Sequence, residues 1–207
     1  MLESLINTAT NLIVETIAAT GYWGVFLFMT AESALIPIPS EIIMPFSGLL
    51  AFQGKFSFWL VVSVGAAGNL VGSLLAYGLG YWGQDHYVRK FIRSWGKFLL
   101  LSEEDYEFSV KWFKKYGSPL VFFSRILPIV RTFISLPAGI TKLPLKTFIP
   151  LTFLGSFLWS ALLTYIGLKL RENWHSIGPF FRKFDIVIIA IVIILVVIYF
   201  YKKMRKK

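Results

Sequence analysis

The apolar positions of the chain fall into long uncharged stretches that predict membrane-spanning helices. Residues 57–82 carry no charged side chain and are longer than the roughly 20 residues that a helix needs to cross a bilayer. Residues 147–168 form a second such stretch, with Pro150 near its start. Residues 186–201 form a third, about 24 Å long at about 1.5 Å per residue. The pattern therefore predicts about three full transmembrane helices.

The beginning of the chain follows a different pattern. Between residues 2 and 19, apolar side chains recur at helical spacing and polar side chains fall between them. This arrangement predicts an amphipathic N-terminal helix, within residues 1–20, that lies at the membrane interface. A short transmembrane helix is the alternative that the pattern leaves open.

Residues 22–54 form another apolar stretch, which is long enough to span but is interrupted in its middle. Pro37 and Pro39 lie at the interruption, and proline lacks the backbone N–H that a continuous helix requires. Each half has about 15 residues, which is fewer than a bilayer crossing needs. We therefore predict a re-entrant helical hairpin that enters and leaves the membrane on one side. Two acids, Glu32 and Glu41, flank the prolines.

Residues 118–140 repeat this design with the opposite charge. Arg125 and Arg131 are embedded in apolar sequence, with Pro128 between them and Pro137 after them. The same reasoning predicts a second re-entrant hairpin, in which the prolines break the helix. Irregular backbone at membrane depth is tolerated only where it is buried in protein or lines a water-filled cavity. Both hairpins are therefore expected to face the protein interior.

The two hairpins belong to two halves of an internal repeat, residues 21–84 and 117–168. In each half a glycine lies eight residues before the first buried charge. Inverted repeats with broken helices are typical of secondary transporters, whose substrate sites lie near the bilayer midplane. The predicted fold is therefore an all-α integral membrane protein, built as an inverted repeat with two opposed re-entrant hairpins. The whole chain, residues 1–207, is predicted to form a single membrane domain.

Composition supports the membrane class and adds an orientation. Of the 207 residues, 56% are hydrophobic and 15% are charged, and the mean hydropathy is +0.67. The net charge is +10. Seven basic residues lie in the connector at residues 85–116, and others form the tail at residues 202–207, which predicts that both segments are cytoplasmic. This orientation makes the hairpins open to opposite faces, and it accounts for the basic charge without nucleic-acid binding.

The four charges inside the hairpins are the candidate functional residues. Arginine keeps its charge and presents a planar fork that suits phosphate oxygens, so Arg125 and Arg131 are predicted to bind a lipid phosphate. Glu32 and Glu41 are predicted to couple transport to protons or to pair with the arginines. A purely structural quartet is the alternative, although apolar replacements of such pairs are often equally stable. Four polar residues are secondary candidates: Ser40, Asn69, Ser124 and Thr132.

Other kinds of chemistry find little support in the sequence. There is no P-loop, so ATP is not the expected driving force. Only two acids lie at membrane depth and cysteine is absent, so no metal site and no cofactor are predicted. His86 and His175 both lie in connectors, and the segment "SRILPIVR" contains neither histidine nor aspartate. An enzyme is therefore not expected.

Three segments resemble the DedA family of SNARE-associated, or VTT-domain, membrane proteins: "ESALIPIPSEIIMPFSG", "GNLVGSLLAYGLGYWG" and "FFSRILPIVRTFISLPAG". The resemblance covers most of residues 21–168. It implies an inverted repeat with two facing re-entrant hairpins and an activity that moves lipids across the membrane. Bacterial members include flippases for undecaprenyl phosphate, others flip phosphatidylethanolamine, and eukaryotic relatives scramble phospholipids. Four residues match the essential acids and arginines of the family: Glu32, Glu41, Arg125 and Arg131.

One departure from the family pattern refines the expected substrate. Some members end a longer first hairpin in a "PGD"-like turn, whereas this chain has "PIPSE". That difference places the chain nearer the branch associated with undecaprenyl phosphate. The leading hypothesis is a proton-coupled flippase that moves undecaprenyl phosphate, or a similar polyprenyl phosphate, from the outer to the inner leaflet of the cytoplasmic membrane.

Other hypotheses remain open at this point. A flippase or scramblase for phosphatidylethanolamine or other phospholipids is the second transport hypothesis. A non-transporting membrane scaffold belongs to another class, and a lipid phosphatase is disfavoured by the missing histidines. The small-residue faces around Gly68 and Gly72 suit packing within the chain and a homodimer equally well.

Overall fold

A computed structural model describes residues 2–36, 38–83, 117–125 and 128–171, together with residues 107, 110, 111, 113 and 115. Met1–Arg171 form one compact unit. Several predicted features lie outside the described residues, namely Pro37, most of the connector, the loop after residue 171, the last predicted transmembrane helix and the basic tail.

The described residues are helical, and no strand occurs among them, which confirms the predicted all-α class. The helix at the N-terminus is confirmed, while its place at the interface stays a prediction. The described helices are α1 (Leu2–Thr20), α2 (Tyr22–Ser33), α3 (Ser40–Phe52), α4 (Phe58–Trp82), α5 (Ser118–Ser124), α6 (Pro128–Phe133), α7 (Ser135–Ile140) and α8 (Leu145–Leu170).

Two helices, α4 and α8, are long and apolar enough to cross a membrane. They have 25 and 26 residues and coincide with two of the predicted transmembrane stretches. Pro150 lies inside α8, because the helix begins at Leu145, two residues earlier than predicted. Exposed large apolar side chains line both helices, as a lipid-facing surface requires.

The first interrupted stretch folds as two short helices whose outer ends meet. Between α2 and α3 the backbone reverses through Leu35, which has a φ of 73°, and Pro39 precedes the first residue of α3 in an extended conformation. At the other end, the Tyr22 ring stacks on Phe56 with centroids 4.5 Å apart, and the Ser57 backbone N–H donates to the Tyr22 hydroxyl at 2.7 Å. The chain therefore enters and leaves this helical pair at the same end.

The second interrupted stretch is divided more finely than the first. Pro128 begins α6, a position where its missing N–H leaves no helical hydrogen bond unmade. Ile134 then separates α6 from α7. Pro137 accounts for this interruption, because a proline ring displaces the carbonyl four residues before it. The stretch thus forms three short helices, where the sequence indicated a hairpin of two limbs.

The second limb of the first pair packs closely on α8. A side chain at Gly48 of α3 would overlap the carbonyl oxygen of Thr164, and one at Gly167 of α8 would overlap the carbonyl oxygen of Pro45. Glycine at both positions allows the two backbones to approach each other directly. Pro45 itself stays inside α3 and does not end the helix.

The second stretch makes the corresponding crossing with α4. Gly139 of α7 lies against the carbonyl of Tyr77, and Gly80 of α4 lies against the carbonyl of Leu136. The spacing is the same in both crossings, since on each helix the glycine lies three residues after the residue whose carbonyl approaches the glycine of the partner helix. Each interrupted stretch therefore packs on the long helix of the other half of the chain.

Replacing Gly80 with alanine is expected to destabilise the protein by about 1–3 kcal/mol, because the new methyl group would meet the Leu136 backbone. The measurement is the thermal unfolding midpoint of the purified protein in detergent. Gly78→Ala on the same helix is the matched control, since its methyl group would meet only the flexible side chain of Trp82. Equal midpoints for the two variants would show that the crossing is not tight.

Candidate functional site

Arg131 belongs to the second interrupted stretch and contacts two acids at the break in the first interrupted stretch. Its Nη2 atom forms salt bridges with Glu32 and with Glu41, the second at 3.3 Å from Oε1, and it also donates to the hydroxyl of Ser40. Arg131 is 3% exposed and Glu32 is 4% exposed. The cluster is therefore a buried charge network that links α2, α3 and α6.

The path of the chain explains why two distant acids meet one guanidinium. Glu32 lies in the last turn of α2, and Glu41 lies in the first turn of α3. Since the chain reverses between these helices, both carboxylates come to the same point. A carboxylate in the first turn of a helix is also favoured by the partial positive charge there. The break between the helices thus serves to bring the acids together.

Arg125 occupies a different environment, made of neutral acceptors. Its Nη1 atom donates to the Ser73 hydroxyl and to the Arg131 carbonyl, both at 2.9 Å. Its Nη2 atom donates to the hydroxyls of Ser135 at 3.0 Å and Thr152 at 3.4 Å. Arg125 is 1% exposed. No carboxylate of the described residues lies within salt-bridge distance of it, so neutral oxygens solvate this charge.

Two neighbours on α8 complete the surroundings of Arg125. A side chain at Gly155 would come within 2.8 Å of its Cβ, so glycine makes room for the arginine. The Phe148 ring lies 5.9 Å from its Cζ, a distance that allows a cation–π attraction. Arg125 is therefore packed among α4, α5, α7 and α8.

The secondary candidates divide between structural and site positions. The Ser33 hydroxyl donates to Asn69 Oδ1, so Asn69 connects α4 with α2. The Ser124 hydroxyl donates to the Val121 carbonyl of its own helix at 2.9 Å. Thr132 is half-buried on α6, next to Arg131 in sequence. The structure places Ser40 in direct contact with the arginine–glutamate cluster, where its hydroxyl accepts from Arg131 Nη2.

Sequence reasoning missed the residues that hold the arginines from the long helices. Ser73 and Thr152 contact Arg125, and the ring of Trp159 lies 5.2 Å from the Cζ of Arg131. The sequence did contain a signal for Ser73 and Thr152, because a hydroxyl inside an uncharged transmembrane stretch needs a buried hydrogen-bond partner. The sequence did not indicate which charge would be that partner.

The cluster also retains hydrogen-bonding capacity that its own residues do not use. The Arg131 Nε and Nη1 atoms and the Glu32 Oε2 atom are buried and have no hydrogen-bond partner among the described residues. All three acid and hydroxyl contacts of Arg131 go to Nη2. Because buried N–H groups are almost always paired, the unpaired N–H groups of this guanidinium are suited to an anionic ligand with several oxygens.

Comparison with known proteins places the chain among membrane proteins of related sequence. The VTT domain matches residues 38–169, a range that includes both arginines and Glu41. An "Alkaline phosphatase-like protein" of Lactococcus lactis subsp. cremoris (strain MG1363) is 32% identical over 181 residues, which are 87% of this chain and 85% of that protein.

Two further relatives carry a transport name. "Undecaprenyl phosphate transporter A" of Bacillus subtilis (strain 168) is 34% identical over 157 residues, 76% of this chain and 75% of that protein. The protein of the same name from Staphylococcus aureus (strain NCTC 8325 / PS 47) is 29% identical over 163 residues, 79% of this chain and 80% of that protein. No solved structure matches the chain.

Replacing Arg131 with alanine is expected to destabilise the protein by about 3–5 kcal/mol, because Glu32 and Glu41 would then be left near each other without their cation. A lower thermal unfolding midpoint in detergent is the measurement. Adding Glu32→Gln and Glu41→Gln to this variant is expected to restore much of the loss, since the uncompensated charges disappear. Lys146→Ala, at an exposed position, is the control. An unchanged midpoint for Arg131→Ala would contradict the buried network.

Proposed function

The chain belongs to the VTT-domain, or DedA, family, and on that premise we propose that it is a flippase that moves undecaprenyl phosphate or a similar polyprenyl phosphate across the cytoplasmic membrane. The proposed direction is from the outer to the inner leaflet, which returns the lipid carrier to the cytoplasmic face. Two relatives named for undecaprenyl phosphate transport support this choice of lipid.

The observation that carries the proposal is the presence of two unpaired nitrogen atoms on the buried Arg131 guanidinium. A phosphate monoester presents several oxygens, and the charge-assisted N–H donors of arginine bind such oxygens. The Nε and Nη1 atoms of Arg131 are two donors without a protein partner among the described residues. In this proposal Arg131 contacts the phosphate directly, and Arg125 adds positive charge nearby while its own fork stays on neutral oxygens.

The proposed membrane architecture follows from the lengths and crossings of the helices. With 12 and 13 residues, α2 and α3 are each about 18–20 Å long, which is too short for a hydrocarbon core of about 30 Å. Paired helices of that length, joined at one end, suit a re-entrant hairpin. The equal spacing of the two glycine crossings supports a repeat whose halves exchange contacts. An inverted repeat of this kind would hold Arg131 near the bilayer midplane.

The proposed coupling uses competition for one guanidinium. Glu32 and Glu41 both contact Arg131 Nη2, where a phosphate would add more negative charge. When the phosphate arrives, one carboxylate is expected to leave the arginine and to take up a proton, so that no uncompensated charge remains buried. Release of the lipid on the other side would return that proton. Substrate movement and proton movement are thereby linked.

A lipid phosphatase is the alternative that the name of one relative favours. The two activities differ in their product, because a phosphatase releases inorganic phosphate and a flippase leaves the lipid intact. Measuring phosphate release from polyprenyl phosphate in the same vesicles that report flipping therefore separates them. Release of phosphate at the rate of lipid movement would favour the phosphatase.

Replacing Arg131 with glutamine is expected to slow the flipping of undecaprenyl phosphate by about 100-fold, because a charge-assisted contact to the phosphate is lost. The measurement is the accessibility of the lipid in the outer leaflet of proteoliposomes over time. Lys146→Gln removes an exposed positive charge and should leave the rate unchanged.

Phosphatidylethanolamine added as a competitor should not slow the flipping of undecaprenyl phosphate by the wild-type protein. Equal inhibition by both lipids would favour a phospholipid flippase. A wild-type protein that moves neither lipid would favour a scaffold.

Replacing Glu32 or Glu41 with glutamine is expected to reduce the dependence of flipping on a pH gradient, because an amide cannot exchange a proton. The rate with an imposed gradient, divided by the rate without one, should fall from well above one in the wild type towards one in these variants. Glu15→Gln on α1 serves as the carboxylate control, since this side chain lies outside the cluster. A wild-type rate that ignores the gradient would contradict proton coupling.

A further inference from the structure

Trp159 of α8 lies against the arginine–glutamate cluster with its polar atom unused. The residue is 2% exposed, and its ring centroid is 5.2 Å from the Cζ of Arg131. Its indole Nε1 atom is buried and has no hydrogen-bond partner among the described residues. A buried tryptophan N–H ordinarily finds an acceptor, so this orphan needs an explanation.

Three unpaired buried atoms at this cluster are N–H donors, namely Trp159 Nε1 and the Nε and Nη1 atoms of Arg131. An unpaired acceptor, Glu32 Oε2, lies on the carboxylate that contacts the same guanidinium. A water molecule could pair with one or two of these groups. A phosphate monoester offers several acceptor oxygens together, and in its protonated form it also has one O–H for the carboxylate.

The position of Arg131 over the Trp159 ring is compatible with such a ligand. An aromatic ring attracts the guanidinium through its cation–π contact and does not use up the N–H groups as hydrogen-bond donors. The ring of Trp159 therefore supports Arg131 from α8, and the acids and Ser40 hold Nη2 from the first hairpin. The Nε and Nη1 donors are the part left for a substrate.

We propose that Trp159 belongs to the substrate site, where its indole N–H donates to an oxygen of the phosphate that Arg131 binds. This inference rests on the proposed function, because it takes the ligand to be the phosphate head group of a lipid. It adds α8 to the site, so that both hairpins and one long helix contact or orient the head group. Trp159 thereby favours lipids with a phosphate over the same lipids without one.

The test is a variant that keeps an aromatic ring and removes the indole N–H. Trp159→Phe is expected to weaken the binding of undecaprenyl phosphate in detergent micelles by about 10-fold, as measured by titration calorimetry. Binding of undecaprenol, which lacks the phosphate, should not change. Trp159→Ala should weaken phosphate binding further, because the support of Arg131 is lost as well. Trp23→Phe is the matched control, since Trp23 is 72% exposed on α2.

The outcomes separate this inference from the function on which it rests. If Trp159→Phe binds the phosphate lipid like the wild type while Arg131→Gln does not, Trp159 is no ligand and the proposed function stands. Equal losses for the phosphate lipid and the alcohol would assign Trp159 a packing role and also overturn the inference. A wild-type protein that binds both lipids equally would overturn the proposed function and the inference together.

If the thermal unfolding midpoint shows that Trp159→Phe does not fold, a second variant tests the same inference. Benzothienylalanine at position 159 replaces the indole N–H with sulfur and keeps the size of the ring system. The same 10-fold loss of phosphate binding is expected from it. Wild-type affinity in this isosteric variant would overturn the inference.

Discussion

The charge of Arg131 has to be balanced inside the protein, since only 3% of the residue is exposed. Two carboxylates from another part of the chain supply that balance, and ionised groups at membrane depth are tolerated when they are paired in this way. The breaks in the chain follow from the same need, because an unbroken helix through residues 22–54 would carry Glu32 and Glu41 away from each other. One buried ion cluster thus accounts for the reversal between α2 and α3 and for their contact with α6.

The two arginines of the second stretch differ in ways that sequence symmetry hides. Arg131 contacts both acids and leaves two of its nitrogen atoms unpaired among the described residues. Arg125 spends both terminal nitrogens on hydroxyls and on the carbonyl of Arg131. Arg125 therefore fixes the backbone that presents Arg131. Because neutral hydroxyls and a carbonyl solvate the charge of Arg125, this residue does not compete with Arg131 for the two acids. The two arginines can therefore serve different purposes.

Much of the fold could be predicted, because hydrophobicity and proline act locally. The two long helices and the break after Ser33 follow from the identity of residues close to each position. The division of the second stretch into three helices was harder to predict from the sequence, since the effect of Pro137 depends on where the preceding helix begins. The partners of Arg125 were not predictable, because they come from α4, α7 and α8, and only the tertiary packing decides which buried hydroxyl reaches which guanidinium.

The glycine crossings have a consequence for how the protein is made. Gly48 of α3 needs Thr164 of α8 as its neighbour, and more than a hundred residues separate them in the sequence. A ribosome that adds about 5–20 residues per second completes that interval in roughly 5 to 25 s. During this time the first half has already left the ribosome, and α8 is not yet available to cover the face of α3 that carries Gly48. Glu32 and Glu41 likewise lack Arg131 until it has been synthesised. Biogenesis therefore includes a waiting period in which the insertion machinery or the surrounding lipid has to shelter two acids whose arginine partner has not yet been made.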